Sequence, residues 1–307
     1  MTNAIQRRLA SGLSGQSGVG IRRRLQAGCG DDRATNHRER GEAANSGCGR
    51  GKSRQLHQEN LWRLILEIEA RAAGPGFDHS YARLGAGFST PQNLDPVSSP
   101  ALIFWNQGLA EHLGWPGDPV SDPQQLQGLA GNELLTDSQP IATVYAGHQF
   151  GQYNPQLGDG RATLLGEWIT PAGKRFDVQL KGAGPTPYSR GGDGRAPLGP
   201  VVREYVVSEA MSALGVPTSR ALAAVATGEP VVRNRVEPGA ILTRVASSHL
   251  RIGTIQFFAM TRGGEGLDSL VNYAVARHFA NSDDSGAATA ESTPALTLLK
   301  GVCQHLR

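Results

Sequence analysis

The sequence predicts an α+β fold, an antiparallel sheet packed by helices, set behind a disordered N-terminal tail. Three observations predict it. Residues 161–169 and 176–181 read as two strands joined by a turn at 170–174 that contains Pro-Ala-Gly, the signature of a hairpin. Residues 197–214 follow as one amphipathic helix, closed by Gly215 and Pro217. Composition changes sharply near residue 58: residues 1–58 hold eleven Lys and Arg against four Asp and Glu, with no aromatic residue before Trp62. A stretch so poor in apolar side chains cannot offset the entropy of ordering it.

After the tail, Leu61, Leu64, Ile65 and Ile68 recur at helical spacing, and Gly74-Pro75-Gly76 stops that helix. A proline-punctuated segment follows, in which 101–113 is apolar and ends in the helix-like run NQGLAEHLG. In the helix at 197–214, Val202, Tyr205, Val206 and Ala210 form the expected buried face. Residues 221–226 and 240–246 read as further strands. Asp268 is expected to cap a helix running to Phe279, and 281–292 to be a polar loop. A last helix opens with Thr293 and Pro294 and carries Leu296, Leu299, Val302, Cys303 and Leu306 at helical spacing. No partner for that face follows, and the reading is of a truncated chain.

Composition narrows the function classes. With 307 residues and a net charge of +3, the chain is long enough for a full core and too mildly charged to imply nucleic acid. No apolar run approaches the ~18 residues of a membrane span. Cys29, Cys48 and Cys303 form no paired motif, which argues against a disulfide scaffold and a structural zinc site. The first 30 residues are Arg-rich and free of acids, as transit peptides are, but a solvated tail is the reading adopted. The expected compartment is the cytoplasm, with the mitochondrion as the alternative if the tail is a transit peptide. Only Lys52, Lys174, Lys181 and Lys300 are lysines, against 26 arginines, so a lysine within the fold is there for a reason arginine does not serve.

Two nucleotide motifs are decoys. Gly51-Lys52-Ser53 lacks the earlier glycine of a Walker loop, where Ser46 stands, and no strand precedes it. In KGAGPTP, Pro185 and Pro187 occupy the place where a dinucleotide-binding helix would begin. His148 reads as a packed or capping histidine rather than an acid–base group. The dense region is 145–196, with two GDGR tetrapeptides flanking the hairpin. Gly158-Asp159-Gly160 stands at the mouth of the first strand, where glycines let backbone amides approach an anion. Lys181 ends the second strand, and Glu204 lies in the next helix. Glycine loop, hairpin, strand lysine, helix glutamate is the order of a protein-kinase N-lobe. Arg244 and Arg251 add cations suited to phosphate oxygens.

FDHSYARL, YAGHQFGQYNPQLGDGRA, QLKGAGPTPYSRGGDGRA, REYVVSEAMSALGVPTSRALAAV and TRVASSHLRIGTIQFFA, in that order, resemble the selenoprotein O family from about Phe77 onward. The resemblance implies a kinase-like protein that transfers AMP from ATP, with Mg²⁺ or Mn²⁺, onto Ser, Thr or Tyr hydroxyls of proteins. It implies a nucleotide site at Gly158, Gly160, Arg161, Lys181, Asp193, Gly194, Arg244 and Arg251, with Glu204 as the partner of Lys181 and ATP flipped relative to ordinary kinases. It divides the chain into a tail (1–58), a family N-terminal segment (59–145), a protein-kinase-like N-lobe of antiparallel sheet plus helix with the nucleotide loops (146–239), and the beginning of a helical C-lobe (240–307). Thr163 replaces the third glycine of the kinase loop. The family's catalytic aspartate, its metal-binding asparagine and aspartate, and its redox-active C-terminal residue are all expected beyond residue 307. No catalytic or metal residue is therefore assigned within the chain, which is expected to be an inactive N-terminal portion.

Three functions compete on these residues: an adenylyltransferase portion, a nucleotide-gripping pseudokinase scaffold without turnover, and a nucleic-acid binder using the Arg-rich tail. The tail lacks interleaved aromatics and the rest of the chain is net acidic, so neither a nucleic-acid nor a membrane partner is expected.

Overall fold

The hairpin predicted at 161–181 lies in the interior of the main sheet, in a computed structural model that describes residues 74–261, 265–279 and 293–305. The expectations for the tail, the helix at 61–68 and the loop at 281–292 fall outside the described residues. The described residues form eleven strands: β1 (Gly76–Asp78), β2 (Ser89–Pro91), β3 (Ala101–Trp105), β4 (Ile141–Thr143), β5 (Gly147–Gln149), β6 (Gln152–Asn154), β7 (Ala162–Ile169), β8 (Arg175–Lys181), β9 (Ala196–Pro197), β10 (Arg220–Val232) and β11 (Val236–Ala246). Among the described residues six α-helices accompany them: α1 (Gln107–Leu113), α2 (Pro123–Leu129), α3 (Leu198–Ala213), α4 (Ile252–Thr261), α5 (Glu265–His278) and α6 (Pro294–His305).

Nine strands form one sheet in the order β2-β4-β7-β8-β11-β10-β3, with β1 beside β7 and β9 beside β11, and every pairing is antiparallel. β5 and β6 form a separate hairpin. The expected boundary at 239/240 falls inside β11, which hydrogen-bonds along its length to β10 and, over Leu242–Ala246, to β8. The two short strands expected at 221–226 and 240–246 are thus arms of one long hairpin.

The sequence of β8, RFDVQLK, alternates, and side chains on a strand alternate between faces. Phe176, Val178 and Leu180 point into the main core with Leu165, Leu222, Ile241 and Val245. Phe77 meets Trp115 and Trp168 edge-on there, at 6.0 and 5.3 Å between ring centroids. Helices α1 and α2 cover this core and start as their sequences dictate. Asn106 accepts from the Leu109 amide, and Asp122 accepts from the Gln124 amide with Pro123 in the first turn. Gly114 ends α1 in the left-handed conformation, at φ 59°.

The other face of β8 carries Arg175, Asp177, Gln179 and Lys181. Directly opposite residues share a face, so Leu164, across from Gln179, and Leu242, across from Lys181, lie on it too. Leu164 belongs to a second core with Phe257, Phe258, Leu270 and Tyr273 of α4 and α5. Leu242 belongs to a third with Val201 of α3 and the small side chains Ala196, Ala221, Ala224 and Ala240. The polar stripe of β8 therefore runs from under α5 toward α3.

Two helix expectations need correction. In α3 the buried positions are Val201 and Ser208, with Tyr205 partly covered, whereas Val206 and Ala210 are exposed. The helix is rotated because Glu204 must face the sheet. Asp268 is not a cap: it is the fourth residue of α5 and exposed. In α6, Gly301 lies so close to Phe279 that a Cβ there would fall 2.3 Å from its ring, while Leu296, Leu299 and Cys303 are exposed, in keeping with an apolar face expected to lack a partner.

Candidate functional site

Lys181 closes β8 where the strand is flanked on both sides, by Ala162 of β7 and Leu242 of β11. Its ammonium meets Glu204 Oε2 of α3 in an ion pair. The other oxygen of Glu204 accepts from Arg244 of β11, with Nε at 2.5 Å. One carboxylate thus serves two cations. All three side chains are mostly covered, with 17%, 24% and 19% of Lys181, Glu204 and Arg244 exposed. Burial and the charge of Arg244 draw Lys181 below the ordinary lysine range, against the pull of Glu204. Burial alone would raise Glu204, but Arg244 and Lys181 hold it below the usual carboxylate range. The asymmetry follows from the count: two cations share one anion, so the site carries excess positive charge.

Gln179, fully buried, accepts from Arg244 Nη1 at 3.0 Å and so fixes the guanidinium from the strand side. Arg161 is exposed just before β7, and its charge acts on Lys181 across the hairpin. Its carbonyl accepts from the Gly182 amide at 2.8 Å.

The first glycine loop is locked rather than loose. Gly158 has a φ of 59°, and a Cβ there would fall 2.2 Å from the Tyr188 ring, so only glycine fits. The Leu157 and Gly158 amides donate to the Tyr145 carbonyl at 2.8 and 3.0 Å. Thr186 Oγ1 donates to the Asp159 carbonyl at 2.6 Å, and Ser189 Oγ to that of Gly160 at 2.5 Å. The Asp159 carboxylate accepts from the amide and hydroxyl of Thr143 at 3.1 and 2.5 Å. Arg251 pairs with it at 3.8 Å and lies over the Tyr145 ring at 4.7 Å. The segment rejected as a dinucleotide motif, 181–187, together with Tyr188 and Ser189, is therefore the clamp on this loop.

The second tetrapeptide stacks against the same clamp. A Cβ on Gly194, φ 64°, would lie 1.9 Å from the Gly184 carbonyl oxygen. Asp193 does not balance the cations around Lys181: both its oxygens accept from Arg233 at 2.8 Å, and one from the Arg195 amide at 2.9 Å. The acid that does this is Glu204, whereas Asp159 pairs with Arg251. Replacing Gly194 by alanine is expected to cost on the order of 2–4 kcal/mol, because backbone strain and a backbone overlap coincide there. A melting temperature within about 2 °C of the unmodified chain would show that the loops part without cost.

The predicted residues thus fall into connected groups. Lys181, Glu204 and Arg244 touch; Gly158, Gly160 and Arg251 surround Asp159 and Tyr145; Gly194 packs on Gly184 of the clamp, and Asp193 beside it pairs with Arg233. Sequence reasoning misses Tyr145, Asp159 and Gln179, although Asp159 stands between two glycines that it singles out. His148 is exposed rather than buried, with its ring 5.2 Å from that of Tyr153. Excess cations beside a glycine loop fit a polyphosphate. Among the described residues no three His, Cys, Asp or Glu come together as metal ligands. No helix among the described residues is long and apolar enough to cross a membrane.

Comparison with known proteins matches most of the described chain. The model of the family described as protein adenylyltransferase SelO matches residues 75–298. The chain is 55% identical over 229 residues to the protein nucleotidyltransferase YdiU of Methylorubrum populi, covering 75% of this chain and 45% of that protein. It is 56% identical over 227 residues to that of Roseobacter denitrificans, covering 74% and 46%. With that of a Ruegeria species it shares 60% over 203 residues, covering 66% and 43%. The chain spans a little under half the length of these relatives.

Proposed function

Because the chain belongs to the protein adenylyltransferase SelO family, we infer that it supplies the phosphate-gripping half of a site that moves AMP from ATP to a protein hydroxyl. The observation that carries this reading is the pair of cations, Lys181 and Arg244, held by the single carboxylate of Glu204 beside a glycine loop. Strand lysine and helix glutamate in contact are the central feature of a kinase-like N-lobe, and the antiparallel sheet with α3 against it supports that reading of the fold.

In the proposed reaction a Ser, Thr or Tyr oxygen attacks the α-phosphorus. A new P–O bond forms, the bond to the β-phosphate oxygen breaks, and pyrophosphate leaves with the electron pair. The hydroxyl proton passes to a base. Lys181, Arg244, Arg251 and Arg161 orient the triphosphate and offset its charge, and Gly158 and Gly160 let backbone approach it; positioning and electrostatics carry the acceleration. The base and the metal ligands are assigned to the part of the relatives that this chain does not cover. The chain is accordingly assigned nucleotide binding rather than transfer.

Incubation with α-labelled ATP, Mg²⁺ or Mn²⁺ and a protein acceptor tests this. The present chain is expected to bind ATP without labelling protein, and a version extended to the length of its relatives is expected to label it from α- but not γ-labelled ATP. Label arriving from γ-labelled ATP would replace the transferase reading with a kinase. Failure of the extended version to transfer either label, with ATP bound, would leave the non-catalytic scaffold.

A further inference from the structure

We propose that the β5–β6 hairpin is an arm that stacks on the base of the nucleotide; this rests on the phosphate-site reading above. The observation is Phe150. It is fully exposed and contributes no packing to the fold. It also stands where an aromatic residue folds badly. β5 and β6 pair Gly147 with Asn154, His148 with Tyr153 and Gln149 with Gln152, which leaves a two-residue turn, Phe150-Gly151, with φ angles of 54° and 76°. Two-residue hairpin turns with both central residues left-handed favour Asn-Gly or Asp-Gly, and a bulky side chain at the first position is strained. Strain kept at a residue that packs on nothing points to a use outside the fold.

The arm grows directly from the phosphate loop. Its base is closed by the Leu157 and Gly158 amides on the Tyr145 carbonyl, and Arg251 lies over that tyrosine. Three residue pairs separate base from tip, a reach of about 10 Å. His148 and Tyr153, directly opposite each other, add two rings with centroids 5.2 Å apart. A flat heterocycle joined through a sugar to a phosphate chain suits aromatic rings set one arm's length from a cation cluster. A protein acceptor is the other occupant an exposed aromatic suits. Its docking would call for a contiguous apolar patch, and Phe150 is instead flanked by exposed Gln149 and Gln152.

The test compares ATP with inorganic tripolyphosphate on the full chain carrying Phe150→Asn. Asparagine suits the turn, so the melting temperature should hold or rise. ATP affinity should fall at least about fivefold, the loss of one base–aromatic stack, and tripolyphosphate affinity should not change. Phe150→Trp should keep ATP affinity. Equal weakening of both ligands would mean that the hairpin merely shapes the phosphate loop and would overturn the proposal. Unchanged affinity for both would overturn it as well, and a simultaneous fall in protein labelling by the extended version would assign the arm to the acceptor. An unmodified chain that binds neither ligand would instead refute the phosphate site itself, and the arm's assignment with it.

Discussion

Replacing Arg277 by alanine is expected to lower the melting temperature by on the order of 10 °C. Arg277 is 4% exposed and Asp177 5%, and their charged atoms lie 2.6 Å apart. The guanidinium also donates to the Tyr273 hydroxyl and the Ser247 carbonyl, both at 2.7 Å, and lies 3.7 Å from Glu167. Removing it leaves Asp177 buried beside His249 and directly across the strand pair from Glu167, at a cost of about 3–5 kcal/mol. At about 2–4 °C per kcal/mol for a domain of this size, the shift follows. Burial alone would raise the Asp177 pKa, but Arg277 holds it well below the carboxylate range. A depressed folded-state value contributes stability that is complete above the unfolded pKa of ~3.9 and is lost as pH falls toward the folded value. The unmodified chain should therefore lose this contribution only below about pH 4, and the alanine variant should already lack it at neutral pH. A drop of less than about 2 °C at pH 7 would show that the pair does not hold α5 to the sheet.

Replacing Lys181 by alanine is expected to weaken ATP and tripolyphosphate alike by about 10- to 100-fold, the value of a charge-assisted contact to phosphate. Stability should change little, because Glu204 keeps Arg244 as its partner. Glu204→Ala differs in kind. It leaves two cations facing each other without their shared anion, and should cost about 1–3 kcal/mol, below the figure for a fully buried pair because water reaches the site. Phosphate binding by the Lys181 variant equal to that of the unmodified chain would remove the lysine from the site. Equal loss of stability in both variants would contradict the shared-anion geometry.

Much of the site is legible in the sequence because its signals are local. RFDVQLK alternates with the period of a strand and so separates core from polar face without knowledge of any neighbour. Lys181 and Glu204 can be paired on paper because a strand followed by a helix that packs back on it brings its end near that helix. The glycines of the first loop announce a backbone that other residues do not adopt. Phe150 gives no such signal because its meaning lies in a conflict: an aromatic in a turn position that only the backbone angles reveal.

Long-range choices were decided in three dimensions. Val202 and Val206 offered α3 a plausible apolar face, yet the helix turned Glu204 inward, since a carboxylate between two cations outweighs the burial of one valine. Asp193 had the sequence of a site acid, but Arg233, forty residues on, lies where the β10–β11 hairpin brings it and takes both oxygens. Arg277 and Asp177, a hundred residues apart, have no local pattern to link them. The sequence by itself determined the family, the order of strands and helix, and the glycines and the lysine at the site, because these rest on short-range periodicity and backbone freedom. Only the tertiary structure decided which acid answers which base: an ion pair depends on distances of a few ångströms between distant segments, and those distances exist only once the sheet has closed.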